Sequence, residues 1–310
     1  MPSFSPRGPA AGSGHQRLCL HLTLEAVGLT SAGCIRRWCS VRDRDGVRRR
    51  RARLEAAPAA TIAAGTAHTS FGAKATLPAG ASVPEAEGTG DPLSFDGEGV
   101  IDFANGRGRT NLDLTALMAA QGPGQVDGNF ETVIDGDIVY VRSPFLASLV
   151  AAETPWIKVD PSTIESGTGI DLGELSALGS FESGAHLAFL GGVVKGSVRN
   201  LGTETIRATT TTHYRGTVDL RAAVEAAGAL VDPERFNRFA TALGPELVVD
   251  AFLDDGGRLR RLSYDQPLPG GQGGASQRVE LEYFDFGAPV NISIPTPDQV
   301  TDLSQVLGDR

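Results

Sequence analysis

Apolar and polar residues alternate with a period of two along several consecutive segments of this chain, beginning near residue 70. The stretch 70–77 reads SFGAKATL, and the stretches 93–103 and 111–114 place apolar residues on one parity and mostly polar or charged residues on the other. Such alternation is typical of an antiparallel strand with one dry face and one wet face. The pattern therefore predicts half-buried antiparallel strands over this region.

Turn signals and longer periodic segments extend this interpretation to the rest of the chain. Asp135-Gly136-Asp137 lies between FETVI and IVYV and predicts a hairpin, because glycine adopts the positive φ of a tight turn. Further strands are predicted at 197–206, 208–220, 247–253, 258–264, 278–286 and 290–294. Helices are predicted at 53–65, 184–194, 221–227, 233–243 and 297–307. This order predicts an α+β fold, with a curled antiparallel sheet of about ten strands and helices against one face.

Charge is distributed unevenly between the start of the chain and the rest of it. The first 53 residues hold eleven arginines and three acidic residues, whereas the remainder holds 17 basic and 34 acidic residues. An acidic body repels the phosphate backbone of nucleic acids, so we do not expect a nucleic acid as partner.

The N-terminal segment allows two interpretations. Residues 17–34 place an apolar run after basic residues and end in Ser-Ala-Gly-Cys, which resembles a lipoprotein signal peptide with Cys34 as the lipidated residue. However, His21 and Glu25 interrupt the apolar run, and the basic run that follows opposes export. The alternative is a disordered basic segment over 1–50, followed by a single domain over 51–310.

The sequence shows no recognisable catalytic centre. It lacks the nucleophile elbow, the phosphate-binding loop and the zinc-protease helix motif, and it has no cysteine after Cys39. His186 and His213 are far apart in sequence, and the pairs Asp135/Asp137 and Asp254/Asp255 flank turn glycines, where aspartate is common. We therefore expect no enzyme activity, no cofactor and no metal site. A hydrolase would need polar groups that converge in a cleft, and nothing in the sequence selects them.

Several segments together resemble the actinobacterial LppX/LprG-type lipoproteins, a family with a LolA-like fold. The resemblance runs from about residue 54 to residue 307 and is carried by six segments in the family's order: AATIAAGTAHTSF, ETVIDGDIVYVRSP, PWIKVD, THYRGTVDL, VVDAFLDDGGRLRRLSYD and YFDFGAPVNISIPTPDQVTDL. It implies a strongly curved half-barrel sheet whose concave face is covered by helices, with an apolar cavity between them.

The resemblance also implies a function. Members of that family bind acylated lipids in the cell envelope, outside the cytoplasmic membrane, and are anchored there by a lipid. For this chain we therefore expect non-catalytic carriage of a lipid or another apolar ligand, with a membrane surface or an envelope transporter as further partner. The alternative is a structural or sensory envelope domain that binds a protein through the same fold. An exposed apolar patch on the convex face would favour that alternative.

The predicted lipid-binding residues are the apolar positions expected to face inward. The charged parity of the first strands needs water, so the apolar parity must face the helices. In the 135–141 hairpin, both alternating sets of residues are apolar, so Val139 and Val141 make it ambiguous whether Ile138 and Tyr140 face inward. The segment 186–194 has too few polar residues to lie on the surface. The predicted residues are Phe71, Phe95, Ile101, Phe103, Leu112, Leu114, Ile138, Tyr140, Leu187, Phe189, Leu190 and Val193. The pattern allows either a lined cavity or a filled core at these positions.

Overall fold

Twelve β-strands form a single sheet in the part of the chain that the structure describes. The structure is a computed structural model that describes residues 32–76, 94–115, 127–159, 183–227, 243–267 and 276–308. In chain order the strands are β1 (Thr66–Thr76), β2 (Ser94–Asp102), β3 (Arg107–Asp113), β4 (Asn129–Asp135), β5 (Ile138–Arg142), β6 (Trp156–Val159), β7 (Arg199–Ile206), β8 (Thr209–Asp219), β9 (Glu246–Leu253), β10 (Leu259–Pro267), β11 (Ser276–Phe284) and β12 (Val300–Asp302).

Two runs of consecutive antiparallel strands make up the sheet. The strand order is β12-β6-β5-β4-β3-β2-β1-β11-β10-β9-β8-β7, so β1 lies in the middle and pairs with both β2 and β11. Every pair is antiparallel except β12 with β6. This topology confirms the predicted α+β class with a large curled antiparallel sheet.

Five helices accompany the sheet in the described residues: α1 (Ala32–Ile62), α2 (Pro144–Val150), α3 (Ser183–Phe189), α4 (Leu220–Ala227) and α5 (Leu303–Gly308). Short 3₁₀ turns at Leu190–Gly192 and Pro297–Gln299 precede β-strand residues. No helix among these is long and apolar enough to cross a membrane. Residues 233–242 of the helix predicted over 233–243 lie outside the described residues.

Helix α1 is longer than the sequence indicates, because it begins at Ala32 and not near Arg53. Its last three turns attach it to the sheet through one face, on which Leu54, Ala57 and Thr61 are fully buried. The Thr61 hydroxyl accepts a hydrogen bond of 2.9 Å from the backbone N–H of Leu259 and donates one of 2.8 Å to the Ala57 carbonyl. Arginine and alanine are good helix formers, which lets the helix extend through the basic run before Arg53. The Cys34 side chain lies outside the described residues.

The end of the chain differs from its predicted structure. The alternating residues 290–294 were expected to form the last strand, but they belong to an irregular stretch, and the last strand is β12. Pro289, Pro295 and Pro297 flank the alternating residues and lack the N–H group that a strand needs to pair. The predicted strand at 290–294 was therefore wrong, and the helix expected over 297–307 is reduced to α5.

Two glycines allow side chains from neighbouring strands to meet over β2. Gly97 and Gly99 lie on the face of β2 that also carries Phe95 and Ile101. A Cβ atom added to Gly97 would lie 2.5 Å from a methyl group of Leu112, and one added to Gly99 would lie 2.9 Å from the hydroxyl oxygens of Thr69 and Thr110. Strand β2 thus has two inner-face positions at which the neighbouring strands leave no room for a side chain.

Candidate functional site

The strand register places most of the predicted apolar residues on one face, which we call the inner face. Tyr264 on this face packs edge-to-face against Phe189 of α3, with 5.6 Å between the ring centroids. Two rows of directly opposed residues cross the inner face. They are Leu262, Leu281, Phe71, Gly97, Leu112 and Phe130 in one row, and Ala67, Ile101, Gly108, Ile134, Val139 and Val159 in the other. Both rows are almost entirely apolar, but the row between them carries Thr69, Thr110 and Thr132. The inner face therefore has two apolar bands, one from β10 to β4 and one from β1 to β6.

One half of the inner face is closed by helices. Helix α3 and the 3₁₀ turn after it pack against α4, and Val193 forms an isolated bridge with Val218 of β8. The side chains of this segment are completely enclosed by protein: Leu187, Phe189 and Leu190 are 0% exposed. These residues therefore form a close-packed core over the C-terminal half of the sheet.

The other half of the inner face, which we call the open half, is less completely buried in the described residues. Phe95, Phe103, Ile134 and Val159 are partly buried and pack against the core, and Ile101 is also partly buried. Other apolar side chains of this half, such as Leu112, Phe130 and Val139, are buried. Gly108 is a buried position between Ile101 and Ile134, and a Cβ atom there would have no neighbour closer than 3.8 Å. The open half therefore presents partly accessible apolar side chains on both sides of a position without a side chain.

The structure places ten of the twelve predicted residues on the inner side, in two separate groups. In the first group Phe71, Leu112 and Leu114 are buried, and Phe95, Ile101 and Phe103 are partly buried. The second group is buried in the helix-covered half and consists of Leu187, Phe189, Leu190 and Val193. Contact of any of these residues with a lipid stays a prediction.

Ile138 and Tyr140 are the two predicted residues that face the other way. The two-residue turn Gly136-Asp137 pairs Asp135 with Ile138, and Val133 with Tyr140. This register turns Val139 and Val141 inward, where they are 5% and 6% exposed, so the predicted facing was wrong. Both parities of β5 are apolar, and the alternation that identifies the inner face elsewhere is absent from this strand.

The outer face carries charged side chains that pair with one another. Asp250 accepts two hydrogen bonds from the Arg215 guanidinium, at 2.8 and 2.9 Å, and one of 2.7 Å from His213 Nε2. His213 Nδ1 lies 2.9 Å from a carboxylate oxygen of Glu204, and its ring stacks on Phe252 with centroids 4.2 Å apart. Both ring nitrogens of His213 therefore contact carboxylate oxygens of the outer face.

Three buried carboxyl groups are held in their charged form by hydrogen bonds from neighbouring residues. Burial opposes ionisation of Asp250, Asp254 and Glu282, but hydrogen bonds from neighbouring arginines outweigh it and hold the pKa of each below its ordinary value. Asp254 is bound by the backbone N–H and guanidinium of Arg258 and by Arg260. It thus closes the turn between β9 and β10, and its oxygens are occupied by donors, as expected for a turn residue.

We expect the protein to lose stability in acid. Because these carboxyl groups have lower pKa values folded than unfolded, their stabilising effect is complete above the unfolded value of about 4 and is lost as the pH falls through the folded values. The melting temperature, followed by circular dichroism, should be constant around neutral pH and fall steadily below about pH 4. Asp250→Asn should flatten this dependence. A melting temperature that stays level or rises in acid would contradict the prediction.

Comparisons with known proteins find similar solved structures. The chain matches no protein-family model and no curated protein. It is similar to the lipoprotein LppX of Mycobacterium tuberculosis, with 14% identity and a TM-score of 0.41 over 77% of this chain and 98% of the other. It is also similar to LprF from Mycobacterium bovis, with 17% identity and a TM-score of 0.41 over 80% of this chain and 97% of LprF. A LolA superfamily protein from Nitrosomonas europaea gives 12% identity and a TM-score of 0.27 over 76% and 90%.

Proposed function

We propose that this protein binds a lipid or another apolar ligand on the inner face of its sheet and carries it in the bacterial cell envelope, outside the cytoplasmic membrane. Carriage requires no reactive group, so the proposal makes the protein a non-catalytic carrier. The ligand would be an acylated lipid or a molecule of similar polarity, exchanged with a membrane surface or an envelope transporter.

The observation that carries the proposal is the open half of the inner face. In a close-packed core, large side chains are fully enclosed. Here Phe95, Ile101 and Phe103 remain partly exposed on the mostly apolar side of the sheet. Partly exposed apolar side chains that share one concave face are the usual lining of a small-molecule site. The helix-covered half supplies rigidity, and the open half supplies the surface on which an acyl chain would lie.

The free energy of transfer explains why such a surface is sufficient for a carrier. Each methylene group that leaves an apolar environment for water costs about 0.8 kcal/mol, so a sixteen-carbon chain meets a barrier of roughly 12 kcal/mol. A carrier needs only to lower this barrier, by offering the chain an apolar surface of similar quality to the membrane interior. Binding tighter than that of the membrane is unnecessary.

Substitution of Ile101 by tryptophan tests the proposal. Ile101 is a partly buried residue of the open half and lies opposite Gly108, so the larger indole group should occupy the space that the acyl chain needs. We expect the variant to bind a fluorescent fatty acid at least about tenfold more weakly than the unmutated protein, a difference of about 1.4 kcal/mol. The measurement is a fluorescence titration, accompanied by the melting temperature of each protein.

Val100→Trp is the matched control, because Val100 is the next residue on the same strand and faces the outer side. It should leave fatty-acid binding unchanged. If the unmutated protein takes up no fatty acid, or if the two tryptophan variants bind it equally well, the proposal is wrong.

The described residues do not favour the alternative of a protein-binding domain. Its expected sign is an exposed apolar patch on the convex face. Four large apolar side chains are exposed in the described residues, and they are divided among three elements, with Phe145 and Leu149 on α2, Leu201 on β7 and Val248 on β9. The outer face around Asp250 and Glu282 is instead covered by ion pairs.

A further inference from the structure

The basic run of α1 lies just before the part of the helix that is attached to the sheet. Buried residues recur along α1 at Leu54, Ala57 and Thr61, and they define the face that packs on the body. One turn earlier the chain has four consecutive arginines, 48–51. Arg48 and Arg49 are exposed, and Arg50 and Arg51 are partly buried above Leu54. The attached end of the helix therefore holds the run at a fixed place on the body.

These arginines differ from those of the sheet in their partners. Nine described arginines on the strands and their turns each reach a carboxylate: Arg107, Arg109, Arg142, Arg207, Arg215, Arg258, Arg260, Arg261 and Arg278. Arg51 pairs with Glu55 at 2.8 Å, but within the described residues no ion pair is formed by Arg48, Arg49 or Arg50. The Nε atoms of Arg50 and Arg51 are buried without a hydrogen-bond partner. Three of the four arginines of the run, Arg48, Arg49 and Arg50, thus have no carboxylate partner among the described residues.

We propose that the run 48–51 binds the anionic headgroups of a phospholipid bilayer. The guanidinium group matches the geometry of a phosphate and binds it through two parallel hydrogen bonds. Clusters of four or more basic residues on a helix are sufficient to attract a protein to an anionic membrane surface. This inference rests on the proposed function, since a carrier of apolar ligands must meet the membrane from which it loads or into which it unloads.

The small extent of the run favours a bilayer over a nucleic acid as the partner. The chain after residue 53 holds 34 acidic residues against 17 basic ones, so an anionic partner gains attraction only at the run itself. The run itself is confined to little more than one helical turn, which provides few contacts along a phosphate backbone. A bilayer surface needs only a compact basic patch, because its anionic lipids can diffuse to the patch.

The experiment uses the full chain and vesicles of two compositions. One set contains phosphatidylcholine alone, and the other an equal mixture of phosphatidylcholine and anionic phosphatidylglycerol. In a sedimentation assay at low salt, we expect the protein to bind the anionic vesicles and to leave the neutral ones. The double variant R48Q/R49Q should bind the anionic vesicles at least about tenfold more weakly, and high salt should weaken binding of the unmutated protein.

R199Q/R221Q is the matched control. Arg199 and Arg221 are also exposed, and their substitution removes the same amount of charge from elsewhere on the body. It should bind the anionic vesicles as the unmutated protein does. Equal binding to both vesicle types, an equal loss in the two double variants, or tighter binding to a DNA or RNA oligonucleotide than to the anionic vesicles would each overturn the inference.

Fatty-acid uptake separates this inference from the proposed function. R48Q/R49Q changes no residue of the inner face, so it should take up the fluorescent fatty acid normally. If the unmutated protein binds anionic vesicles but takes up no fatty acid, the carrier function fails and the basic surface stands. If it takes up fatty acid and binds neither vesicle type, the basic surface is wrong and the carrier function stands.

Discussion

Replacing Phe189 by alanine should lower the free energy of unfolding by about 3–5 kcal/mol. The Phe189 ring is 0% exposed and packs against Tyr264 and His186, with 5.6 Å between the ring centroids in both cases. Its removal leaves a cavity that the closed half of the inner face cannot fill, because the adjoining side chains are also completely enclosed. Urea unfolding followed by circular dichroism would measure the change, and the melting temperature should fall by about 6–20 °C.

Phe145→Ala is the control for this substitution. Phe145 lies on α2 and is 38% exposed, so its loss should change the free energy of unfolding by less than about 1 kcal/mol. The contrast tests whether the helix-covered half is a filled core. A Phe189→Ala variant that is as stable as Phe145→Ala would show instead that Phe189 lines a cavity.

Replacing Gly99 by valine should also destabilise the fold, by about 1–3 kcal/mol. A Cβ atom at this position would lie 2.7 Å from the backbone oxygen of Arg109 and 2.9 Å from the hydroxyl oxygens of Thr69 and Thr110. The first of these contacts is with the main chain of β3, which cannot move without disturbing its pairing with β2. The free energy of unfolding, measured in urea, should fall accordingly.

The neighbouring strand offers a matched control for Gly99. Gly72 lies on β1, faces the outer side, and has no atom within 4 Å of an added Cβ atom. Gly72→Val should therefore be tolerated, and its β-branched side chain is well suited to a strand. If the two valine variants unfold at the same denaturant concentration, the close approach of β3 to β2 does not determine stability.

The sequence predicted the facing of strands only where it offered a contrast between the two faces. In β1, β2 and β3 one parity is apolar and the other is mostly polar or charged, so burial of the wrong parity would place charges in the core. Phe71, Leu112 and Leu114 accordingly lie inside. Strand β5 has no such contrast, and there the turn at Gly136 decides the register and turns Ile138 and Tyr140 outward.

Other features depend on contacts between distant parts of the chain. The local pattern of residues 290–294 favours a strand, but nearby prolines leave it unpaired, and the short β12 lies parallel to β6 instead. The sequence could also not predict the difference between the open and closed halves of the inner face, because Phe95 and Phe189 are equally apolar. Only the positions of α3 and α4 over β8 and β10 distinguish them.

The central position of β1 has a consequence for how the protein folds. Strands β2 to β6 and strands β7 to β11 each pair with their neighbours in sequence, so both halves can assemble from local hairpins. The pair that joins the halves brings Phe71 opposite Leu281, and it forms only after the chain has been synthesised almost to its end. Closing so long a loop is entropically costly and slows folding, and until it happens the first long strand has an unpaired edge open to other chains. We therefore expect this late pairing to slow folding, and aggregation to compete with folding until the pair has formed.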